Sequence, residues 1–207
     1  MKRTYFIALV GTISLLSAAC SDKQSTDNNQ QTVEVVKGPT VYEKVSILNY
    51  SVDSSWKAII QLDSQKFANI KRLVEEISYC KNYDEKGVAK ALKLNAEVYA
   101  MQYTQANLSD SLITAYDTKT DELIRFARNL KSNTPEIIQH PLADQLENEI
   151  TEADVQLVNY RSRYDLLASE FNNFLDLNKE AIDTETSLKA VQKKPLFTAP
   201  ALKAKVS

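Results

Sequence analysis

The stretch from Pro141 to Leu177 constrains this chain more than any other feature. Leu146, Ile150, Ala153, Leu157, Tyr160, Tyr164, Leu167, Phe171 and Phe174 follow one another at alternating steps of four and three, the heptad period of a helix that lays one apolar seam along its partners. No glycine interrupts it, and its one proline, Pro141, stands at its start. At about 1.5 Å of rise per residue such a helix is roughly 55 Å long, too long for a compact mixed α/β domain and normal for an elongated bundle. The other elements must be long as well.

Glycine and proline usage points the same way. Only Gly11, Gly38 and Gly87 occur in 207 residues, which leaves few positions for the tight turns that a sheet requires. The prolines, Pro39, Pro135, Pro141, Pro195 and Pro200, leave Thr40 to Thr134 and Leu142 to Lys194 free of helix breakers. The expected fold is therefore all-α, an elongated antiparallel bundle of three to four long helices spanning residues 40–180. A first helix is predicted from about Val41 to Tyr79, with Trp56, Ile60, Phe67, Ile70, Val74 and Ile77 in its seam and a break near Asn49 to Ser51 marked by Asp53. Asp63 falls in that seam, where a carboxylate is expected near a bundle edge or paired with a cation. After a polar turn at Lys81 to Asp84 a second helical zone begins near Glu85. Its polar stretch from Thr104 to Asp110 leaves open whether it is one bent helix or two. Residues 181–207 read as a short helical turn and an extended tail in which Leu196 and Phe197 are apolar enough to dock on the bundle.

The amino terminus carries an address. Lys2 and Arg3 precede an apolar run from Tyr5 to Leu16, and Ser17-Ala18-Ala19 stand directly before Cys20, the order of a bacterial export signal over residues 1–19. Small residues before a cysteine resemble the lipobox, so Cys20 is the expected lipidation site. Its acyl chains would hold the protein at a membrane by about 0.8 kcal/mol per buried methylene. The apolar run is shorter than the roughly twenty residues that a membrane span needs. Residues 20–39 then form the acylated cysteine and a polar tether, rich in Ser, Asn, Gln and Asp and without periodicity. Ser21 in place of an aspartate after the cysteine points to the outer membrane of a two-membrane envelope.

Chemistry is harder to find. The formal net charge is −2, and loss of Lys2 and Arg3 with the signal makes it more negative, so no attraction for nucleic acid is expected. Once Cys20 is acylated Cys80 stands alone, no disulfide is possible, and its place on the apolar face of the first helix reads as a small buried side chain. His140 is the only histidine; it reads as a solvent-facing loop residue, since a zinc site would need further imidazole or thiolate ligands. Glu147, Glu149, Glu152 and Asp154 are spread around their helix as a solvated face is. No catalytic residue, metal site or cofactor pattern emerges.

The order of parts resembles the LemA family. Val52-Asp53-Ser54-Ser55-Trp56 is followed at seventeen and eighteen residues from the tryptophan by Leu73-Val74, and Arg161 stands three residues before Tyr164-Asp165, with Phe171-Asn172 seven residues on. Lys194-Pro195-Leu196-Phe197 closes the pattern, which extends from about Ser51 to Pro200. The chain departs from the family at Gln65 to Arg72, where little beyond Ile70 and some charge is kept. The resemblance implies a helical bundle held at a membrane and no established reaction. The functional expectation is a non-enzymatic envelope lipoprotein, a membrane-tethered bundle serving as a protein-binding scaffold or adaptor. The alternative is a lipoprotein holding a small apolar ligand between its helices.

Overall fold

The structure is a computed structural model that describes residues 38–198, so the signal, Cys20 and nearly all of the tether lie outside the described residues. The described chain is all-helical. Five α-helices run α1 (Val41–Ser78), α2 (Glu85–Ala100), α3 (Asp110–Ser132), α4 (Pro141–Leu177) and α5 (Lys179–Thr184), with 3₁₀ turns at Gln105–Asn107, Pro135–Gln139 and Thr186–Leu188.

Local chemistry sets the helix ends. Thr40 caps α1 through a capping box in which its hydroxyl accepts from the Glu43 N–H and the Glu43 carboxylate accepts from the Thr40 N–H. Asp84 caps α2 by accepting from the Gly87 N–H at 2.9 Å. Gly87 is required there, because a Cβ would collide with the Asp84 carboxylate and a methyl of Leu130. Pro141 opens α4 at a position whose N–H needs no helical partner. Asn82 takes a left-handed φ of 57° in the turn between α1 and α2, a conformation that asparagine tolerates better than most residues.

The break expected near Asn49 to Ser51 does not occur: α1 is continuous through its 38 residues. Val45, Leu48, Val52 and Ile59 are all buried, and their unbroken stripe against α4 outweighs the weak local preference of asparagine and serine for a turn. The second zone is two helices. The chain leaves α2 at Met101, and Thr104 makes a second capping box, with Asn107.

α1 and α4 share the most extensive interface of the described chain. Their cross-links run in opposite senses: Lys44 lies by Glu170, Lys66 by Asp154, Asn69 by Glu149 and Glu76 by His140. Two apolar clusters form along them. One joins Phe67 to Ile77 of α1 with α2, α3 and the Ala143–Ile150 part of α4; the other joins Val45 to Ile59 with Leu157 to Leu175, Ile182 and Leu188. Trp56 and Phe197 pack against both.

The seam of α4 departs from the strict heptad. Tyr160 is 37% exposed, Leu167 and Phe174 are only partly buried, and the buried positions after Leu157 are Tyr164, Ala168, Phe171 and Leu175. An α-helix turns every 3.6 residues, so over five heptads the apolar face drifts off a 3.5-residue repeat. The drift brings Arg161, and not Tyr160, to the inward position after Leu157.

Candidate functional site

Two polar assemblies lie between α1 and α4. The first is a belt at the junction of the two apolar clusters. Asp63 and Lys66 are one turn apart on α1 and both face inward, with only 4% and 2% of their surface exposed. The Lys66 ammonium sits 3.2 Å from Asp63 Oδ1 and 3.2 Å from Asp154 Oδ1 on α4. Asp63 Oδ2 accepts from the Tyr116 hydroxyl of α3 and, at 2.9 Å, from Gln102 Nε2. Two buried charges in a medium of low polarity are tolerable only when each is paired and hydrogen-bonded, and here both conditions are met. Burial, then the adjacent Asp63 carboxylate, pushes the Tyr116 hydroxyl far above the usual tyrosine range.

Asp63 is thus paired with a cation, but deep in the bundle and not at its edge. The belt opens into a cleft of about 170 Å³ lined by Lys66, Asp117, Thr120, Asp121, Asp154 and Arg161. Arg161 presents its fork to Asp117 at 2.7 and 2.8 Å and donates to the Tyr103 hydroxyl at 2.7 Å. Burial alone would lower the ionisation of Arg161, but the Asp117 hydrogen bonds, with the Tyr103 and aspartate charges around it, reverse this and fix its charge. Burial raises the Tyr103 hydroxyl well above its ordinary range despite that guanidinium.

The second assembly is a strap. After α5 the chain turns back, and residues 194–198 lie across α1 and α4. The Asn172 carboxamide pairs with the main chain of Lys194, donating to its carbonyl and accepting from its N–H, both at 2.8 Å. Tyr164 donates to the Pro195 carbonyl at 3.0 Å, and the Asp165 carboxylate accepts from the N–H groups of Phe197 and Thr198 and from the Thr198 hydroxyl. The Lys194 ammonium reaches Asp53 at 3.0 Å. Phe197 stacks on Trp56 with ring centres 5.8 Å apart and planes at 18°, meets Tyr103 and Tyr164 edge-on, and lies 5.1 Å from the Arg161 guanidinium. Burial carries the Tyr164 hydroxyl up to about 12.

These contacts gather the scattered motif residues into one place. Asp53, Trp56, Arg161, Tyr164, Asp165 and Asn172 all touch the Lys-Pro-Leu-Phe segment or the ring it inserts. No protein-family model, curated protein or solved structure matches the chain. The geometry itself must carry the reading.

Elsewhere the expectations divide. Cys20 lies outside the described residues. Cys80 is buried with 4% of its surface exposed, and burial, with Glu136 and Glu76 nearby, pushes its thiol above the usual range, which disfavours the reactive thiolate. His140 lies outside the helices, as expected, but it is half-buried and not solvent-facing, at the position before α4 with Nδ1 3.3 Å from the Glu76 carboxylate. Of the four carboxylates on the face of α4, Glu147 meets Lys131 and Arg128, Glu149 accepts from Asn69, and Asp154 meets Lys66. Among the described residues no group of three or more His, Cys, Asp or Glu side chains is placed to hold a metal ion, and no helix is long and apolar enough to cross a membrane. A hollow of about 560 Å³ beside Met101 is lined by Asp110, Ser111, Thr114, Ala115, Thr118 and Lys119, all exposed, so it lies on the surface and not between the helices.

The burial of Lys66 and the inward, paired position of Arg161, named above only as a motif residue, were not read from the sequence. A signal existed. Lys66 stands three residues after Asp63 in the seam, and Arg161 four after Leu157, spacings that place a charge on the buried face of a helix and demand a partner.

Proposed function

We propose that this chain is a non-enzymatic lipoprotein of the bacterial envelope, related to the LemA family, whose long helices form an antiparallel bundle that serves as a protein-binding scaffold or adaptor. Acyl chains on Cys20 anchor it, a polar tether spaces the bundle from the bilayer, and the order of Ser21 after the cysteine favours the outer membrane. The bundle comprises four long helices, α1 to α4, with α5 as a short extension of the last.

The observation that carries the adaptor reading is the use made of the family-like residues. Asp53, Trp56, Tyr164, Asp165 and Asn172 contact an extended peptide segment, chiefly through its main chain and one aromatic ring. That is the chemistry of peptide recognition. The charged groups of the belt, in contrast, engage each other: Lys66 with Asp63 and Asp154, Arg161 with Asp117.

Two experiments test the proposal. Metabolic labelling with a fatty acid should mark the wild-type protein and leave Cys20→Ala unprocessed and unlabelled; equal labelling of the two would remove the anchor. Cross-linking in intact envelopes followed by capture should return the same protein partners in independent preparations, and failure to do so would remove the adaptor role.

A further inference from the structure

The strap groove reads its occupant as a peptide and not as part of the helical core. Asn172 takes both the donor and the acceptor of one residue, as a neighbouring strand would, and Asp165 takes two successive N–H groups three and four positions on. The first contact suits an open, non-helical backbone at Lys194, the second a bend at Phe197 and Thr198, and both are indifferent to side chains. Three other features impose a sequence. Asp53 selects a cation at the first position. The second position faces Tyr164 only through its carbonyl, so a proline, which has no N–H to offer, loses nothing there and holds the chain extended. The fourth position enters a cage formed by Trp56, Tyr103, Tyr164 and Arg161, which rewards an aromatic ring.

Every reading group stands on α1, on α4 or at Tyr103 just after α2, and none of them is on the strap itself. In the segment that delivers the strap, Lys189, Ala190, Gln192 and Lys193 are exposed; it is held by Val191, which packs on the second apolar cluster, and by the ion pair of Lys193 with Asp176. The groups that read the strap are therefore carried by elements other than the segment they hold.

We propose that this groove is a peptide-recognition site whose ligand in trans is a non-helical segment of a partner protein reading Lys-Pro-aliphatic-aromatic, and that residues 194–198 are its built-in competitor. The pairing of Asp53 with a cation, the packing of Leu196 on the apolar cluster and the capture of two main-chain N–H groups by Asp165 argue for that partner chemistry. The proposal rests on the adaptor reading and names the class of partner. A tail on the same chain competes at high effective concentration, so the groove is masked until a stronger or multivalent ligand displaces it, and the apparent affinity falls by the fraction of chains with an open groove.

Trp56 is the only tryptophan and stacks on the strap ring, so it reports occupancy directly. In the full chain, Phe197→Ala should shift Trp56 emission to the red. Titration with the capped synthetic peptide Lys-Lys-Pro-Leu-Phe-Thr-Ala-Pro should reverse that shift saturably. The same peptide with alanine for phenylalanine should bind about thirty-fold more weakly, the loss expected for a buried aromatic anchor. Wild-type protein should need about a hundred-fold more peptide, because its own tail competes. Should Phe197→Ala lose helicity, Lys194→Glu opens the groove while keeping the ring, and the same titration applies. Absence of a saturable response up to about 1 mM peptide, the range of a short-tether effective concentration, in a helical variant would overturn the proposal, as would equal binding of the alanine peptide. Concentration-dependent wild-type dimers that disappear in Phe197→Ala would overturn it too, assigning the groove to the tail of a second copy. These outcomes are separate from the envelope cross-linking: a silent groove with reproducible partners removes this site and leaves the adaptor reading standing.

Discussion

The belt and the strap groove draw on the same two helices and the same chemistry, yet they differ in what holds them. Asp63, Lys66, Asp154 and Tyr116 are all fixed on helices, so none can leave without opening the bundle. The groove is built on α1, α4 and Tyr103, and what it holds is a stretch of chain outside any helix. Buried charge in the first case ties helices together and opposes slippage between them, since any shift in register separates an ammonium from its carboxylates. In the second case similar groups hold a segment that belongs to no helix.

The largest break in this contrast is expected at Lys66. Lys66→Met removes one charge and leaves the Asp63 carboxylate buried, which should cost about 3–5 kcal/mol; urea unfolding followed by far-ultraviolet circular dichroism measures it. Adding Asp63→Asn to that variant should recover part of the loss, and a double variant as unstable as the single one would show that packing, not charge, explains the effect.

Alkali should act next, and on both regions. An unfolded tyrosine ionises near pH 10, while Tyr164 in the folded chain is held at about 12. Below pH 10 both states keep the proton and stability is complete. Between the two values the unfolded chain gives up its proton first, so stability falls by about 1.4 kcal/mol per pH unit, roughly 3 kcal/mol by pH 12. Tyr103 and Tyr116, raised further, extend the loss in the same direction. Tyr164→Phe should flatten the decline measured by urea midpoints across pH 9 to 11; an unchanged slope would show that this hydroxyl does not carry it.

Smaller effects distinguish the strap. Asn172→Ala deletes the two hydrogen bonds to Lys194 and should cost about 1–2 kcal/mol. The loss should be local: hydrogen exchange should quicken at residues 193–198 while the amides of α1 between Ile59 and Ile77 stay protected. Quickening throughout α1 would merge the strap with the core and end the comparison. The exposed Lys93–Glu97 pair sets the lower end, and Lys93→Ala should change stability by less than about 0.5 kcal/mol.

Much of this arrangement was legible in the residues. The all-helical character and the two longest helices follow from apolar spacing and breaker positions, while the division of the second zone stayed open; the burial of Cys80 follows from its place after Leu73 and Ile77, and the docking of Leu196 and Phe197 from their apolar side chains. Three readings failed for identifiable reasons. The break at Asn49 did not form because packing of Val45, Leu48 and Val52 overrode local propensity. Tyr160 was misplaced because a heptad count accumulates error over a helix of 37 residues. His140, read as a solvent-facing loop residue, lies outside the helices but is half-buried, because its partner, Glu76, stands on another helix.

The sequence by itself determined the class of fold and the ends of the two longest helices, because these depend on interactions between residues a few places apart and on overall composition. The tertiary structure alone decided which charges are buried against which, and that Asp53, Trp56, Tyr164, Asp165 and Asn172 share one occupant. Asp53 and Lys194 are 141 residues apart in the chain and 3.0 Å apart in space, and nothing local to either predicts the meeting. Periodicity tells a helix which face to hide; only the packing of one helix on another tells it what that face will touch.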